Sequence, residues 1–526
     1  MSYQSFGFIV FSAIALLVYY LAGRKRQLWV LALANLMFYA MAGVKYIPFI
    51  LITMVATFLA GKKMGSIYQE ADEKIAACTD KEEKKQLRAD AKGKAKRVLQ
   101  VGMLVTLVFL IVCKYTTFIL ENVNIVLLQI NVPEIRIFSM VLPLGISFYS
   151  FMALSYVLDI YWKRYKAEQN FLMYAVYLSY FPHVVQGPID RFNEFKEQVK
   201  DGIAPSYKNI TYGAQLAIWG FFKKLVIADR LGLFVDTVFD TWQECDGIII
   251  IASVIAYSIQ IYADFSGCID IVTGVSEMFG IRLRKNFHHP YFSKTMPEFW
   301  RRWHISLQEW FKDYIYYPVS TSSFVRNMKK HFKNKGNLRG MELFSSCFPV
   351  LVVWLITGIW HGAAWRYVAW GLFHAAVLIG SQVFDPLFKK TTERLKIKTD
   401  RFSWHLWQMA RSFAICCIGR VFFRAAGLMQ AFGMLGKMFT SVSVGVLFNP
   451  GISYGIVQSD VLMAIVAVIV LWVVDMLQEK MCIREALAKK NIVLRWVIIF
   501  AGLFAVILFG IYGPGYDASS FIYEQF

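Results

Sequence analysis

Apolar runs of nearly the length that crosses a lipid bilayer recur through most of this chain. A transmembrane helix needs about 20 apolar residues, and runs close to that length occur at 98–120, 346–361, 364–384 and 492–512. Of 526 residues, 57% are hydrophobic and 17% are charged, whereas soluble domains are about 25% charged. Because backbone polar groups in lipid must be satisfied within their own segment, such runs fold as helices. The sequence therefore predicts an all-α polytopic membrane protein with roughly eleven to thirteen membrane segments.

Basic residues follow alternate apolar runs in the first third of the chain. Arg24–Arg26 follow the first run, Lys and Glu dominate 61–97, and the fifth run ends in WKRYK at 162–166. Since Lys and Arg collect on the cytoplasmic side, we expect an outside N-terminus, a retained first span and a cytoplasmic charged helical insertion at 61–97. The last twelve residues contain no Lys or Arg and are expected outside. The same rule accounts for the net charge of +20, and no nucleic-acid partner is predicted.

The middle of the chain is apolar but interrupted. Segments 171–187, 210–236 and 247–280 contain prolines, glycines and charged residues, namely Pro182, Gly187, Pro188, Lys223, Lys224, Asp229, Asp264 and Gly267. Breaks at membrane depth are tolerated only where the backbone is buried in protein or lines a wet cavity. This pattern predicts short, tilted or broken helices around an internal space.

The stretch 299–311, FWRRWHISLQEWF, places a histidine among aromatic residues. At 100° per residue, one helical face would carry Trp300, Trp303, His304, Leu307, Trp310 and Phe311, and the other Arg301, Arg302, Glu309, Lys312 and Asp313. An amphipathic helix of this kind is suited to the membrane interface. By itself, a single histidine in an apolar stripe is most often a packed core residue.

His361 lies inside a second, very apolar run, between Trp360 and Gly362. Ionisable groups within membrane segments are costly and indicate function, and the small residues at 362–364 leave room beside the ring. His374 lies in the next run, and sequence alone does not rank it far below His361. The pair His288–His289 is interpreted as a structural loop junction, and His183 remains ambiguous.

A third polar group lies in IQIYADFSGCIDIVTG at 259–274, with Gln260, Asp264, Ser266 and Asp270 in apolar surroundings. A buried carboxylate needs a partner, and we expect Asp264 to pair with an arginine of 299–311 or with a histidine. A polar cluster that joins helices without touching substrate is an equally good interpretation.

Several common motifs are absent from the sequence. It contains no P-loop, GxGxxG, GxSxG or HExxH motif, and its eight cysteines show no metal-ligand spacing. No metal and no bound cofactor are therefore predicted. What remains is histidine within membrane segments, without an evident nucleophile on the protein itself. Such a site suits general-base activation of a substrate hydroxyl, with the acyl group arriving on a donor.

Four blocks resemble the membrane-bound O-acyltransferase family, in its bacterial alginate O-acetyltransferase and D-alanyl transfer branch. They are LPLGISFYSF at 142–151, FPHVVQGPIDR at 181–191, the long block at 259–320 that contains WRRWHIS, and ITGIWHGAAWRYVAWGLFHA at 356–375. The resemblance predicts one membrane domain over 1–526, with a catalytic core at 140–375 and C-terminal helices at 376–526. The fold that it implies is a ring of helices, some interfacial or broken, around a central tunnel.

The resemblance also assigns roles. His361 matches the membrane histidine that the family keeps invariant, and would be the general base or relay. His304 matches a position where the family carries Asn or His, and would orient the donor carbonyl or share the proton. The residues expected to bind substrate along the tunnel are Gln260, Asp264, Ser266, Trp300, Arg302 and Trp360.

The resemblance further implies an acyl donor, an acceptor and a location. The donor would be acetyl-CoA or another acyl thioester on the cytoplasmic side, and the acceptor an extracellular polysaccharide or cell-wall polymer. An extracellular SGNH-type acyltransferase partner and the lipid of a bacterial plasma membrane are the expected partners. After YIYYP the chain continues VSTSSFVRN, which departs from the alginate-type pattern and weakens alginate as the acceptor. The alternatives are D-alanyl transfer to teichoic acid from a carrier protein and, from another class, a transporter or channel.

Overall fold

A computed structural model describes residues 2–137, 142–443, 445–446 and 454–512 of the chain. Within these ranges the regular structure is helical, and extended pairing is limited to an isolated bridge between Phe287 and Trp303. The all-α prediction is confirmed. The C-terminal tail, which was expected outside the membrane, lies beyond the described residues.

Among the described residues, six helical segments are long and apolar enough to cross a membrane. They are Val44–Ala77, Lys81–Gln129, Gly247–Met278, Leu338–His361, Gln458–Gln478 and Ile492–Phe509. A seventh results if Trp365–Val383 and Asp385–Arg394, which meet at 58°, form one broken span. This confirms a polytopic membrane protein. The larger predicted number of membrane segments, which included short and broken ones, stays a prediction.

The chain divides into two compact units, and the first consists of Met1–Ala214 and Val272–Arg284. Its helices are α1 (Phe6–Leu21), α2 (Gln27–Ala42), α3 (Ile47–Ala77), α4 (Lys81–Gln129), α5 (Ile146–Tyr161), α6 (Phe171–Ser179) and α7 (Phe192–Val199). The charged stretch 61–97 forms the tip of the α3–α4 hairpin, where the Asp80 carboxylate accepts hydrogen bonds from the backbone of Glu82 and Glu83 and starts α4. Its helical nature agrees with the prediction, and its cytoplasmic location stays a prediction.

His183 belongs to the first unit and is fully buried there. Its Nδ1 lies 3.0 Å from a carboxylate oxygen of Asp190, and its Nε2 lies 2.9 Å from the backbone oxygen of Tyr177. Both ring nitrogens are therefore satisfied by neighbours within the same unit, as expected of a structural histidine.

The second unit consists of Gln215–Ile271 and Lys285–Phe526. The end of α8 (Tyr207–Phe221) leads into a π-helical turn, Phe222–Ala228, followed by α9 (Asp229–Asp240) and α10 (Gly247–Met278). The later helices are α11 (Met296–Arg302), α12 (Ile305–Phe311), α13 (Tyr317–Ser320), α14 (Ser323–Asn334), α15 (Leu338–His361), α16 (Trp365–Val383), α17 (Asp385–Arg394), α18 (Phe402–Arg424), α19 (Leu428–Thr440), α20 (Gln458–Gln478), α21 (Ile483–Ala488) and α22 (Ile492–Phe509). The broken helix predicted in 210–236 is thus a helix interrupted by a π turn. The break predicted in 247–280 is wrong, because Asp264 and Gly267 lie within the continuous helix α10.

Two glycines allow the backbones of α8 and α10 to touch within this unit. A Cβ on Gly220 would lie 2.5 Å from the carbonyl oxygen of Gly267, and a Cβ on Gly267 would lie 2.9 Å from that of Gly220. Any larger residue would force the helices apart. The contact brings the π turn against the polar stretch of α10.

Candidate active site

The stretch 299–311 is not the single helix that its periodicity predicts. Helix α11 ends at Arg302, and α12 begins at Ile305. Between them, Trp303 forms the bridge with Phe287, and His304 has a left-handed backbone with φ of +48°. The continuous-helix prediction is wrong because pairing with a segment before α11 replaces the helical hydrogen bonds at this point.

The burial pattern of the stretch nevertheless agrees with the predicted two faces. Buried side chains are Trp300, Trp303, His304, Leu307, Trp310 and Phe311. On the other side, Arg301, Glu309 and Lys312 are exposed. Both short helices keep their apolar residues inward across the break.

His304 is held by the side chain of Asn286. The Nδ1 of His304 lies 3.2 Å from the Asn286 side-chain oxygen, which also accepts from the Ser306 backbone N–H at 3.1 Å and the Ser306 hydroxyl at 2.8 Å. Because a backbone N–H can only donate, the Asn286 atom is an acceptor, and Nδ1 of His304 must carry the hydrogen. Burial lowers the pKa of His304 to about 3, so the ring is neutral. Its Nε2 then carries the lone pair and acts as an acceptor.

His361 is the last residue of α15 and is 4% exposed. Its ring centroid lies 4.8 Å from those of Trp360 and Trp370 and 5.2 Å from that of Phe423. A Cβ on the following Gly362 would lie 2.2 Å from a ring carbon of Tyr367. The space that the small residue leaves is therefore occupied by Tyr367, which packs against the end of α15.

Tryptophans connect three histidines of the second unit. Trp360 contacts both predicted catalytic residues, since its ring centroid lies 6.2 Å from that of His304 and 4.8 Å from that of His361. Trp370 contacts His361 at 4.8 Å and His374 at 5.0 Å. We call the group the histidine–tryptophan cluster, and its members are His304, His361, His374, Trp300, Trp354, Trp360 and Trp370.

His374 was left open by the sequence, and the structure places it inside this cluster. It is 2% exposed, and its ring centroid lies 4.9 Å from that of Trp300 and 5.2 Å from that of Trp354. The cluster as a whole offers imidazole rings in aromatic, water-poor surroundings. Such surroundings suit a base that takes a proton from a hydroxyl, and they keep a reactive acyl group away from hydrolysis.

A second polar group, the lysine–aspartate cluster, comprises Lys223, Lys224, Asp229, Asp264, Ser266 and Asp270. The Nζ of Lys224 lies 2.6 Å from a carboxylate oxygen of Asp264 and 2.8 Å from one of Asp229. Lys223 lies 2.7 Å from Asp270 and donates to the Ser266 hydroxyl at 2.9 Å. The ion-pair partner found for Asp264 is a lysine, where we expected an arginine or a histidine. Two consecutive lysines in an apolar segment were the sequence signal, and we interpreted them only as a break.

The two clusters meet on α10. Phe265 stands between Asp264 and Ser266 in the sequence, and its ring centroid lies 4.8 Å from that of His304. The ion pairs therefore fix the turn of α10 that packs on His304. Asp264 and Ser266 both bind lysines in the structure. Their contacts with substrate stay predictions.

The remaining predicted binding residues lie in different places. Trp300 and Trp360 belong to the histidine–tryptophan cluster. Gln260 is buried one turn before Asp264 on α10. Arg302 forms ion pairs at 2.9 Å with Glu298 and at 2.6 Å with Glu479, and its predicted contact with phosphate groups stays a prediction.

The chain is similar to several known proteins. A family model described as MBOAT, membrane-bound O-acyltransferase family, matches residues 167–332. A protein named probable alginate O-acetylase, from Pseudomonas putida, is 30% identical over 82% of this chain and 78% of its own length. The peptidoglycan O-acetyltransferase of Helicobacter pylori is 29% identical over 78% of this chain and 73% of its own length. The teichoic acid D-alanyltransferase of Bacillus subtilis is 29% identical over 47% of this chain and 60% of its own length.

Proposed function

Because the chain belongs to the membrane-bound O-acyltransferase family and is a membrane O-acyltransferase, we propose that it moves an acetyl group from a cytoplasmic thioester to an extracellular polymer. The acceptor would be a polysaccharide or a cell-wall polymer outside a bacterial plasma membrane. Similarity to two O-acetylating enzymes extends over 82% and 78% of the chain, against 47% for the D-alanyl transferase. This difference in extent favours acetyl as the transferred group.

The observation that carries the proposal is the placement of His304 and His361 on one tryptophan ring. In the proposed step, a hydroxyl oxygen attacks the thioester carbonyl carbon, so that a C–O bond forms and the C–S bond breaks. The hydroxyl proton passes to His361 and then to the departing thiolate, which leaves as a thiol. The step needs no oxidant or reductant, and no co-reactant besides the hydroxyl and the thioester.

The neutral form of His304 supports one of its two implied roles. An Nε2 that carries a lone pair cannot donate to the carbonyl oxygen of a donor. It can accept a hydrogen bond from the attacking hydroxyl or from protonated His361. We therefore assign His304 to sharing the proton.

The donor and the external partner complete the proposal. Acetyl-CoA or another acyl thioester would supply the acyl group from the cytoplasm. The acceptor hydroxyl would belong to the polymer itself or to an SGNH-type extracellular acyltransferase that passes the group on. Both rest on the family resemblance.

Substitution of His361 tests the proposal. His361→Ala should abolish O-acetylation of the external polymer while the protein still accumulates in the membrane. The matched control is His331→Asn, at an exposed histidine of α14, which should leave transfer unchanged. Wild-type acetyl transfer by His361→Ala would refute the assignment.

D-alanyl transfer is the second candidate, and the Bacillus subtilis relative favours it. Cells that express the chain can be given labelled acetate or labelled D-alanine, and the label followed into the polymer. We expect His361-dependent label from acetate. Label from D-alanine alone would establish the second candidate instead.

A further inference from the structure

A group of metal-binding side chains lies outside both clusters. His288, His289 and Glu479 each offer a ligand atom, and these atoms all lie within 4.8 Å of one another. We propose that this group binds a divalent transition-metal cation, with Zn²⁺ as the best fit. Two imidazoles and one carboxylate form a set that Zn²⁺ accepts together with one water. The proposal does not depend on the proposed function.

The loop that carries the two histidines holds an uncommon backbone shape. His289 has a left-handed backbone with φ of +43°, which is rare for residues other than glycine. The His288 N–H donates to the backbone oxygen of Arg302 at 3.0 Å, and the Phe292 N–H donates to that of His289 at 3.2 Å. These bonds hold two consecutive imidazoles with ring centroids 5.2 Å apart.

A buried carboxylate lies behind one of the histidines. An oxygen of Asp475 lies 3.1 Å from Nδ1 of His289, and the other oxygen accepts from the Tyr262 hydroxyl at 2.7 Å. This carboxylate places a negative charge beside the proposed ligand set, which favours a cation there. Asp475 and Glu479 are one helical turn apart at the end of α20, so both face the histidine loop.

The charged side chains around the group are compatible with a bound cation. Arg302 pairs with Glu479 and also with Glu298, so Arg302 keeps a carboxylate partner when Glu479 binds metal. Lys285 also interacts with Glu479. Among these groups, the three carboxylates of Glu298, Asp475 and Glu479 outnumber Arg302 and Lys285, so the remaining negative charge attracts a cation.

The proposed site would connect α20 with the loop behind His304. Asn286, which holds His304, is two residues before His288. A cation bound by His288, His289 and Glu479 would fix this loop from its other side. We therefore assign the metal a positioning role.

Metal titration of the purified full-length chain in detergent tests the proposal. After treatment with a chelator, the protein is titrated with Co²⁺, whose ligand-field absorption reports coordination by nitrogen and oxygen, and then with Zn²⁺. We expect one Co²⁺ per chain, displaced by one Zn²⁺. The His288→Asn/His289→Asn double variant and Glu479→Gln should each bind at least about tenfold more weakly, and the control His331→Asn should bind like wild type.

Absence of stoichiometric Co²⁺ binding by the wild-type chain would overturn the proposal. Equal affinity of wild type and Glu479→Gln would also overturn it. Since Glu479 lies at the partly exposed end of α20, this near-isosteric variant keeps the test decisive if the double variant does not fold.

Discussion

Replacing Lys224 by methionine should destabilise the fold far more than replacing its partner Asp264 by asparagine. Lys224 is 1% exposed and lies between the carboxylates of Asp264 and Asp229. The lysine–aspartate cluster holds two lysines and three aspartates, and so carries one net negative charge. Lys224→Met raises this to two negative charges in a buried place, whereas Asp264→Asn makes the cluster neutral.

The magnitudes follow from what each change leaves behind. Removing one partner of a buried ion pair costs about 3–5 kcal/mol, and the loss of Lys224 affects two carboxylates, so we expect about 5 kcal/mol. Asp264→Asn keeps the ion pair between Lys224 and Asp229, and the new amide oxygen can still accept a hydrogen bond from Lys224. We therefore expect a loss of stability of about 1–2 kcal/mol. Lys330→Met, at an exposed position of α14, is the control and should stay within about 0.5 kcal/mol.

Unfolding of the purified protein in mixed micelles, with increasing fractions of a denaturing detergent, measures these differences. The expected order of stability is wild type and Lys330→Met, then Asp264→Asn, then Lys224→Met. Lys224→Met should also lose acyl transfer, because the turn of α10 that carries Phe265 packs on His304. A Lys224→Met protein as stable as Asp264→Asn would refute the charge argument.

Two further predictions concern the histidines that are proposed to be catalytic. His304→Asn should retain more acetyl transfer than His304→Gly or His304→Ala, because Asn keeps a hydrogen-bonding group beside Asn286; equal losses in all three, measured as polymer O-acetyl content, would contradict a role for this side chain as a hydrogen-bond acceptor. Gly362→Ala should cost about 1–3 kcal/mol of stability through the clash with Tyr367 and should lower transfer, because the end of α15 that carries His361 must shift. Gly436→Ala, whose new Cβ meets nothing within 4 Å, is its control, and a Gly362→Ala protein as active and stable as this control would argue against close packing at His361.

The buried and exposed residues of the stretch 299–311 could be predicted from the sequence, because burial depends mainly on the chemistry and spacing of the side chains within the stretch. Trp300, His304 and Trp310 are buried as their spacing indicates, although the helix that predicted this is interrupted. The interruption depends on Phe287 and Asn286, which pair with Trp303 and Ile305 from before α11. A periodicity within one stretch carries no information about such a partner.

Other features depend on contacts between distant segments. The sequence showed that Asp264 needed a partner, but the choice of Lys224 depends on the glycine contact between α8 and α10 and on the π turn. The two consecutive histidines were interpreted as a loop junction, and the carboxylates that face them come from α20, almost two hundred residues later. The catalytic assignment of His361 rests on the family motif and stays a prediction.

The left-handed backbone of His304 changes how natural variation at this position should be interpreted. Apart from glycine, Asn, Asp and His are the residues that adopt this conformation most readily. The family resemblance places Asn or His at the same position. The backbone alone would favour both of these residues, even if one of them took no part in proton transfer. The occurrence of both Asn and His at this position can therefore reflect a shared backbone conformation and not a shared chemical role. Comparing Asn with Gly at residue 304 separates these two explanations.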